Sequence, residues 1–280
     1  MVKKRLNLIA IYAGLLFVAA LLVVPMIWVV LASFKRPADL FQVASWLPRD
    51  ADTGQIYFSL DGYRGAFAYI KFATWMKNTL FVAITNTVAS TFFNTLAGYA
   101  FARLRFPGRE GIFRTLLIPM MIPGTVTLVP TFLIVLKLGA YDTLWALIWP
   151  SLVWIGTIFL FRQQFLSLPA SLEEAARIDG ANWFQVYFNI GLPAVRPMLI
   201  TNAVFCFLGH YNDFFYPSIV LLDANNYTLA LGLAALVRSQ DMRNYHIRLA
   251  AAVLMSLPLI LVFLPFQKQI QKGFIAGELK

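Results

Sequence analysis

Cysteine is almost missing from this chain. Cys206 is the only one among 280 residues, so no intrachain disulfide can form and compartment cannot be read from pairing. Histidine is nearly as scarce, with His210 and His246 alone. His210 and Asp213 are spaced to share a helix face, yet one His and one Asp fall short of the roughly three or four ligands of a zinc site, so no metal is expected. The phosphate-binding pattern Gly-x-x-x-x-Gly-Lys-Ser/Thr is absent, which excludes ATP hydrolysis by this chain alone. Gly-x-Ser-x-Gly and His-Glu-x-x-His are absent too, and no other catalytic constellation takes their place. There is no internal repeat and no low-complexity segment. Acidic residues are few, 13 against 23 Lys and Arg, for a net charge of +10.

What fills the sequence is apolar. Hydrophobic residues make up 60% of it, and the mean hydropathy is +0.70. A soluble domain is usually below about half apolar. Here the apolar residues come in long runs, so lipid is their expected solvent. The basic residues flank those runs, as positive-inside topology requires, and this reading displaces nucleic-acid binding. At the N-terminus Lys3-Lys4-Arg5 precedes an apolar run from Leu6 to Phe34. That run exceeds the roughly 7–15 residues of a signal peptide's apolar region, and Phe34-Lys35-Arg36-Pro37 is a poor cleavage site, so a retained first span is expected.

The expected fold class is all-α: a polytopic membrane helix bundle forming one transmembrane domain over residues 1–280. Its six transmembrane helices should cover about 8–33, 76–102, 113–136, 143–162, 198–222 and 247–266, each near or above the roughly 20 residues that cross hydrocarbon. Arg103, Arg105 and Arg109 lie between the second and third spans, with Arg114 at the start of the third, against Lys137 alone between the third and fourth. The arginine-rich loop should be cytoplasmic, which places both termini and the loop 163–197 inside. Pro25, Pro119, Pro123, Pro130, Pro150 and Pro258 should kink spans.

The loop 163–197 is a polar island. Ser171 and Glu174 are spaced as a capping box, so a helix should start there. Gly180 should end it through a positive φ. A second short helix should carry Trp183, Phe184, Tyr187, Phe188 and Ile190, stopped by Gly191 and Pro193. The pair has the form of a cytoplasmic helix–turn–helix that docks on something outside the membrane.

Glu174-Ala175-Ala176, then Gly180, then Ile190-x-Leu192-Pro193 resembles the EAA loop of the permease subunits of bacterial ABC importers. Other segments resemble the carbohydrate-uptake branch, and specifically the smaller maltose-type permease. They are Leu96-Ala-Gly98-Tyr99-Ala-Phe-Ala-Arg103, Phe106-Pro107-Gly108-Arg109, Ile122-Pro123, Pro130-Thr-Phe132, Asn212-Asp213-Phe-Phe-Tyr216-Pro217 (with Tyr211 where Trp is usual), Thr228-Leu-Ala-Leu-Gly232-Leu and the tail Gly273–Lys280. The tail has Phe274-Ile275 where the family has Leu-Thr.

The resemblance implies half of a translocation path in the bacterial cytoplasmic (inner) membrane, for a sugar, an oligosaccharide first, with a polyol or sugar phosphate as alternatives. It implies a homologous second permease, two ATPase subunits that bind ATP and Mg, and an external substrate-binding protein, with no cofactor in this chain. Energy coupling would fall to Glu174, Ala175, Ala176, Asp179, Gly180, Ile190, Leu192 and Pro193. Ala175 and Ala176 are small enough to enter an ATPase groove, and Glu174 and Asp179 can pair with its basic residues. The rival from another class is a stand-alone secondary transporter using Asp213, which would not need such a loop.

Polar residues inside apolar spans are costly unless paired. Asn202, His210, Tyr211, Asn212, Asp213 and Tyr216 lie in the fifth run. A wet substrate path through Tyr211, Asn212, Asp213 and Tyr216 is one reading; interhelical hydrogen bonding is the other. In the second run, packing is the favoured role of Asn86 and Asn94.

Overall fold

The computed structural model describes residues 2–42, 45–238 and 245–278. Among them the chain is almost wholly helical, and its one β feature is an isolated bridge between Arg49 and Ile56. In chain order the first helices are α1 (Val2–Ala32), α2 (Asp61–Ala68), α3 (Phe72–Arg103), α4 (Arg109–Leu117), α5 (Gly124–Lys137) and α6 (Trp145–Ile148). They are followed by α7 (Ile155–Leu166), α8 (Ala170–Ile178), α9 (Trp183–Val186), α10 (Arg196–Asn212), α11 (Leu229–Arg238) and α12 (Tyr245–Glu278).

Within α1, α3 and α12 lie single helical stretches long and apolar enough to cross a membrane. Three more candidates are bent pairs. Arg109–Met121 and Gly124–Lys137 meet at 106°, Trp145–Ser151 and Ile155–Leu166 at 41°, and Trp183–Ala194 and Arg196–Asn212 at 81°. The first break falls at Ile122 and Pro123, both extended (ψ 123° and 138°). Proline lacks an N–H and pushes the residue before it out of helical geometry. Pro119 and Pro150 open short 3-10 turns beside breaks, whereas Pro25 and Pro130 sit inside continuous helices.

The fifth apolar run departs from the expected span 198–222. Its helix starts at Arg196 and stops at Asn212. Asp213 turns extended, with ψ 124°, and its Oδ1 accepts the Tyr216 N–H at 3.4 Å. Pro217 then opens the separate turn Pro217–Val220. Asp213 thus offers the backbone a local partner that competes with helix.

The chain falls into two compact units. One is Met1–Ala73 with Gly232–Pro258; the other is Thr74–Leu231 with Leu259–Lys280. In the first, Ser33 Oγ lies 2.7 Å from Tyr63 Oη, and the Phe34 ring packs edge-on to Phe58 and tilted on Tyr63. Tyr57 Oη donates to Asp39 at 2.5 Å and accepts the Arg36 N–H at 2.8 Å. Burial pushes the Tyr57 phenol up to about 12, so it remains a donor there. The α1 run from Asn7 to Ala32 is only 6% buried over its most apolar window, with hydropathy 2.9. That face is built for lipid or a partner span.

In the second unit α3 serves two apolar clusters. Val82 joins Val135, Ala146, Leu147, Ile148, Val220, Leu221 and Leu231. Tyr99 and Ala102 join Phe161, Phe165, Val186, Tyr187 and Val195. At 1.5 Å per residue, Val82 and Tyr99 are about 25 Å apart along the axis. Beside the first cluster, Trp75 Nε1 donates to the Ala224 carbonyl at 2.7 Å, and Asn78 Nδ2 donates to those of Asn225 and Tyr227. Asp142 holds the same loop by accepting the N–H groups of Leu222 and Asp223 at 2.8 and 3.0 Å. Burial works against the Asp142 charge, but these donors and Asn226 outweigh it and hold the carboxyl below its usual range.

Gly98 lets α3 and α7 meet closely: a Cβ there would stand 2.7 Å from Phe161 Cβ and 3.1 Å from the Arg162 nitrogen. Overpacking a tight core contact costs about 1–3 kcal/mol. Gly98→Leu should therefore lower the melting temperature of the detergent-solubilised protein, while Gly124→Leu, at an open position, should leave it within a degree or so of wild type on the same size scaling.

Candidate functional site

The loop after α7 folds as two short helices, with caps that differ from the expected ones. Pro169 takes the cap position of α8 with ψ 129°, and no side chain caps the helix. Ser171 therefore lies inside the first turn, where its hydroxyl is too far along to cap, and the Ser171–Glu174 box does not form. The capping box that does form opens the next helix, α9. Asn182 Oδ1 accepts the Gln185 N–H at 2.9 Å, and Gln185 Oε1 accepts the Asn182 N–H at 2.7 Å. The pattern Asn-x-x-Gln was its signal in the sequence. Gly180 behaves as expected: its φ is +88°. The Ala181 N–H reaches the Ala176 carbonyl at 2.9 Å and the Gly180 N–H reaches that of Arg177 at 3.2 Å, a Schellman closure.

Gly191 and Pro193 do not stop the second helix. The chain passes from α9 through a π-turn, Tyr187–Gly191, and a helical turn, Leu192–Ala194, to the break at Val195. Gly191 keeps helical angles and is buried against the Tyr99 and Phe165 rings. Pro193 falls in the first turn, where its missing N–H has no partner to lose.

The expected coupling residues divide into two sets. Glu174, Ala175, Asp179, Gly180 and Pro193 are exposed. Ala176, Ile190 and Leu192 turn inward and pack on the Tyr99–Phe165–Tyr187 cluster. Ala176 thus belongs to this chain's own core, contrary to an Ala175–Ala176 face turned to a partner. The outward apolar positions are instead Leu172, Ala175, Ile178 (86% exposed) and Phe184. A groove of about 1030 Å³ beside α8 is lined by Arg105, Arg109, Glu174, Arg177, Ile178 and Trp183, among others. The Arg177 guanidinium lies 4.7 Å from the Trp183 ring centroid and donates to the Ala181 carbonyl at 2.8 Å, stapling α8 to α9.

Glu173, which the sequence did not mark, is buried. It sits 3.1 Å from Arg103 Nε as an ion pair out of hydrogen-bonding alignment. Burial raises its carboxyl above the usual glutamate range, against the pull of the Arg103 charge. Tyr187 Oη is 2.8 Å from Thr95 Oγ1, a second tie between this loop and α3; burial raises the phenol, opposed by that bond.

The second feature is a cleft of about 560 Å³ in the Thr74–Leu231 unit. Thr127 and Thr131 face it from α5, and Ser90 and Asn94 from α3. Trp154 and Thr157 face it from the start of α7, and Asn202, Cys206 and His210 from α10. Asp213 and Tyr216 complete it where α10 ends. Asn94 Oδ1 accepts the Trp154 N–H at 3.1 Å, so one side chain both fills the helix break and lines the cleft. Asn202 bonds Thr157 at 3.4 Å and Thr91 at 3.5 Å. Asn86 lies behind, donating to the Leu147 carbonyl at 3.2 Å and lying 3.5 Å from His210 Nδ1. The buried Tyr216 Oη has no hydrogen-bond partner among the described residues. Asp213 is the cleft's one carboxylate, and no Lys or Arg lines it.

Of the expected path residues, Asp213 and Tyr216 reach the cleft. Tyr211 and Asn212 do not line it. Tyr211 is fully buried, stacked on Phe207, with its hydroxyl 3.5 Å from Met76 Sδ. Asn212 faces outward and donates to the Leu208 carbonyl at 3.0 Å. The helix end explains the split: Tyr211 and Asn212 close α10, whereas Asp213 and Tyr216 lie past it, where the chain turns extended. Thr127, Thr131, Trp154 and Thr157 were not legible, since each sits singly in an apolar run.

The family model described as "Binding-protein-dependent transport system inner membrane component" matches residues 94–275. The arabinooligosaccharides transport system permease protein AraQ of Halalkalibacterium halodurans is 34% identical over 268 residues, covering 95% of this chain and 94% of that protein. The maltodextrin transport system permease protein MalD of Streptococcus pneumoniae is 29% identical over 281 residues, covering 98% and 96%. A chain in the crystal structure of a bacterial ABC transporter involved in the import of the acidic polysaccharide alginate shares the fold. Its TM-score is 0.83 at 24% identity, over 95% of this chain and 97% of that one.

Removing an N-cap side chain typically costs about 1 kcal/mol. Asn182→Ala should raise amide hydrogen exchange at Gln185 roughly fivefold on that scale, while the α3 amides stay protected. Unchanged exchange at Gln185 would show that α9 does not depend on this cap.

Proposed function

Because the chain belongs to the family of binding-protein-dependent transport system inner membrane components, we propose that it forms one half of the path of an ABC importer for neutral oligosaccharides. The observation that carries this reading is the cleft. Hydroxyls, amides, one carboxylate and an indole converge in an otherwise apolar bundle, as a path for a sugar requires: hydroxyl groups to bond and a ring face to stack. The oligosaccharides named for AraQ and MalD support the substrate class. The absence of Lys and Arg from the cleft lining disfavours a sugar phosphate.

In this reading residues 1–280 form one permease domain with six spans in the bacterial cytoplasmic membrane, the third and fourth of them bent and the fifth beginning after the break at Val195. Both termini and the loop 163–197 are cytoplasmic. A second permease, two ATPase subunits and an external binding protein complete the importer, and ATP with Mg is bound by the ATPase subunits rather than by this chain. Glu174, Ala175, Asp179 and Gly180, with Leu172 and Ile178, meet the ATPase; Ala176, Ile190, Leu192 and Pro193 shape the loop behind them. Asp213 and Tyr216 contact the sugar, joined by Asn94, Trp154 and Asn202.

Reconstitution with the neighbouring subunits and a screen of neutral oligosaccharides for stimulated ATP hydrolysis tests the reading directly. A charge-assisted hydrogen bond contributes about 1.5–3 kcal/mol, so Asp213→Ala should slow uptake roughly tenfold or more without lowering complex yield. Asn212→Ala should leave uptake unchanged; equal loss in both variants would remove Asp213 from the path.

The arginine-rich segment at 103–114 supports the orientation. A cysteine replacing Arg109 in a Cys206→Ser background should resist an impermeant thiol reagent applied outside intact cells. Rapid labelling would reverse the topology.

A further inference from the structure

One guanidinium joins three elements at the foot of the Thr74–Leu231 unit. Arg103 is the last residue of α3. Its Nη2 donates to the carbonyls of Phe165 and Leu168, at 2.7 and 2.6 Å, where α7 ends. Its Nε lies 3.1 Å from Glu173 Oε1 on α8, and only 11% and 10% of the two side-chain surfaces remain exposed. Arg162 on α7 answers it: Nε donates to the Phe101 carbonyl of α3 at 3.2 Å, and Nη2 donates to Glu110 Oε1 of α4 at 2.6 Å.

Two of the helices so gripped, α3 and α7, line the cleft. Asn94 stands nine positions before Arg103 on α3, about 14 Å along the axis, and Thr157 opens α7. Between cleft and latch the two helices approach closely at Gly98, where an added Cβ would stand 2.7 Å from Phe161 Cβ. A push on the exposed face of α8 therefore reaches both cleft walls through Glu173 and Arg103, provided the pair keeps its geometry.

We propose that Arg103 and Glu173 are a positioning pair for energy coupling: they lock α8 to the ends of α3 and α7, so that displacement of α8 by the ATPase moves the cleft walls. The proposal rests on the importer reading above. Its alternative is a helix-end cap that serves stability alone. The two differ in what Glu173 does, since the Phe165 and Leu168 carbonyls cap Arg103 without it. Glu173→Gln keeps the side-chain shape and leaves those two acceptors in place. Arg103→Lys keeps the charge, but a point ammonium cannot hold two carbonyls and a carboxylate in one plane.

The experiment uses the complete complex in proteoliposomes, measuring neutral oligosaccharide transported per ATP hydrolysed alongside the amount of each subunit that co-purifies. Glu173→Gln and Arg103→Lys should co-purify as wild type yet transport roughly three- to thirtyfold less per ATP, the range by which mutations along a coupling route act. The double variant should fall no further than the worse single, because both break one link. Wild-type transport per ATP in both singles overturns the proposal. So does failure of both to assemble, which would mean that the pair serves stability. A wild-type complex whose hydrolysis no oligosaccharide stimulates would instead defeat the importer reading.

Discussion

A backbone N–H or C=O without a partner costs several kcal/mol in hydrocarbon, where no water can replace the lost bond. Helices in such a solvent can break only where another part of the protein meets the freed groups. This chain bends three of its apolar segments, at Ile122–Pro123, before Ile155 and at Val195, and ends α10 early at Asn212; side chains meet freed N–H groups at two of these four points. Asn94 Oδ1 takes the Trp154 N–H at the start of α7. Asp213 Oδ1 takes the Tyr216 N–H where α10 ends. The break at Ile122–Pro123 needs one partner fewer because proline has no N–H. Asn94, Trp154, Asp213 and Tyr216 all line the cleft. Two of the interruptions thus border the cleft, and the side chains that meet their freed groups form part of its polar lining.

The other end of α3 follows a different rule. Four buried aromatic rings, Tyr99, Phe161, Phe165 and Tyr187, fill the space between α3, α7 and the loop that follows. Two arginines at their edge close onto carbonyls and carboxylates. Apolar packing supplies most of the adhesion, being proportional to area and indifferent to direction. The guanidinium forks supply direction, since planar donors hold partners at fixed angles. Under the proposed coupling role, a loop moved by an outside partner and moving the spans in turn would draw on both.

Much of this was readable from the residues alone. The spans are long apolar runs and the loop is a polar island, because hydropathy is summed over many positions and tolerates local error. Gly180 was legible because an αL turn admits few other residues. The family followed from a loop whose residue types and spacing are both constrained. Failures cluster where one residue's neighbour decides its role. Ser171 has the spacing of a cap, but with Pro169 as the cap the helix starts two residues early. Glu173 and Glu174 are adjacent acids of equal standing in sequence; a one-residue step around α8 buries the first on Arg103 and leaves the second in the open.

What the sequence determined by itself, then, is the class of solvent, the existence of the spans and the loop, and the chemistry available to each. These depend on composition and short-range spacing, which survive without knowledge of packing. Tertiary structure alone decided which of Tyr211, Asn212, Asp213 and Tyr216 meet the cleft, and that Ala176 faces inward. It also decided that Arg103 reaches past α7 to Glu173, 70 positions along the chain. Each of those outcomes is fixed by the rotation of one helix against another, and helix rotation is set by side chains distant in sequence that touch only once the chain has folded.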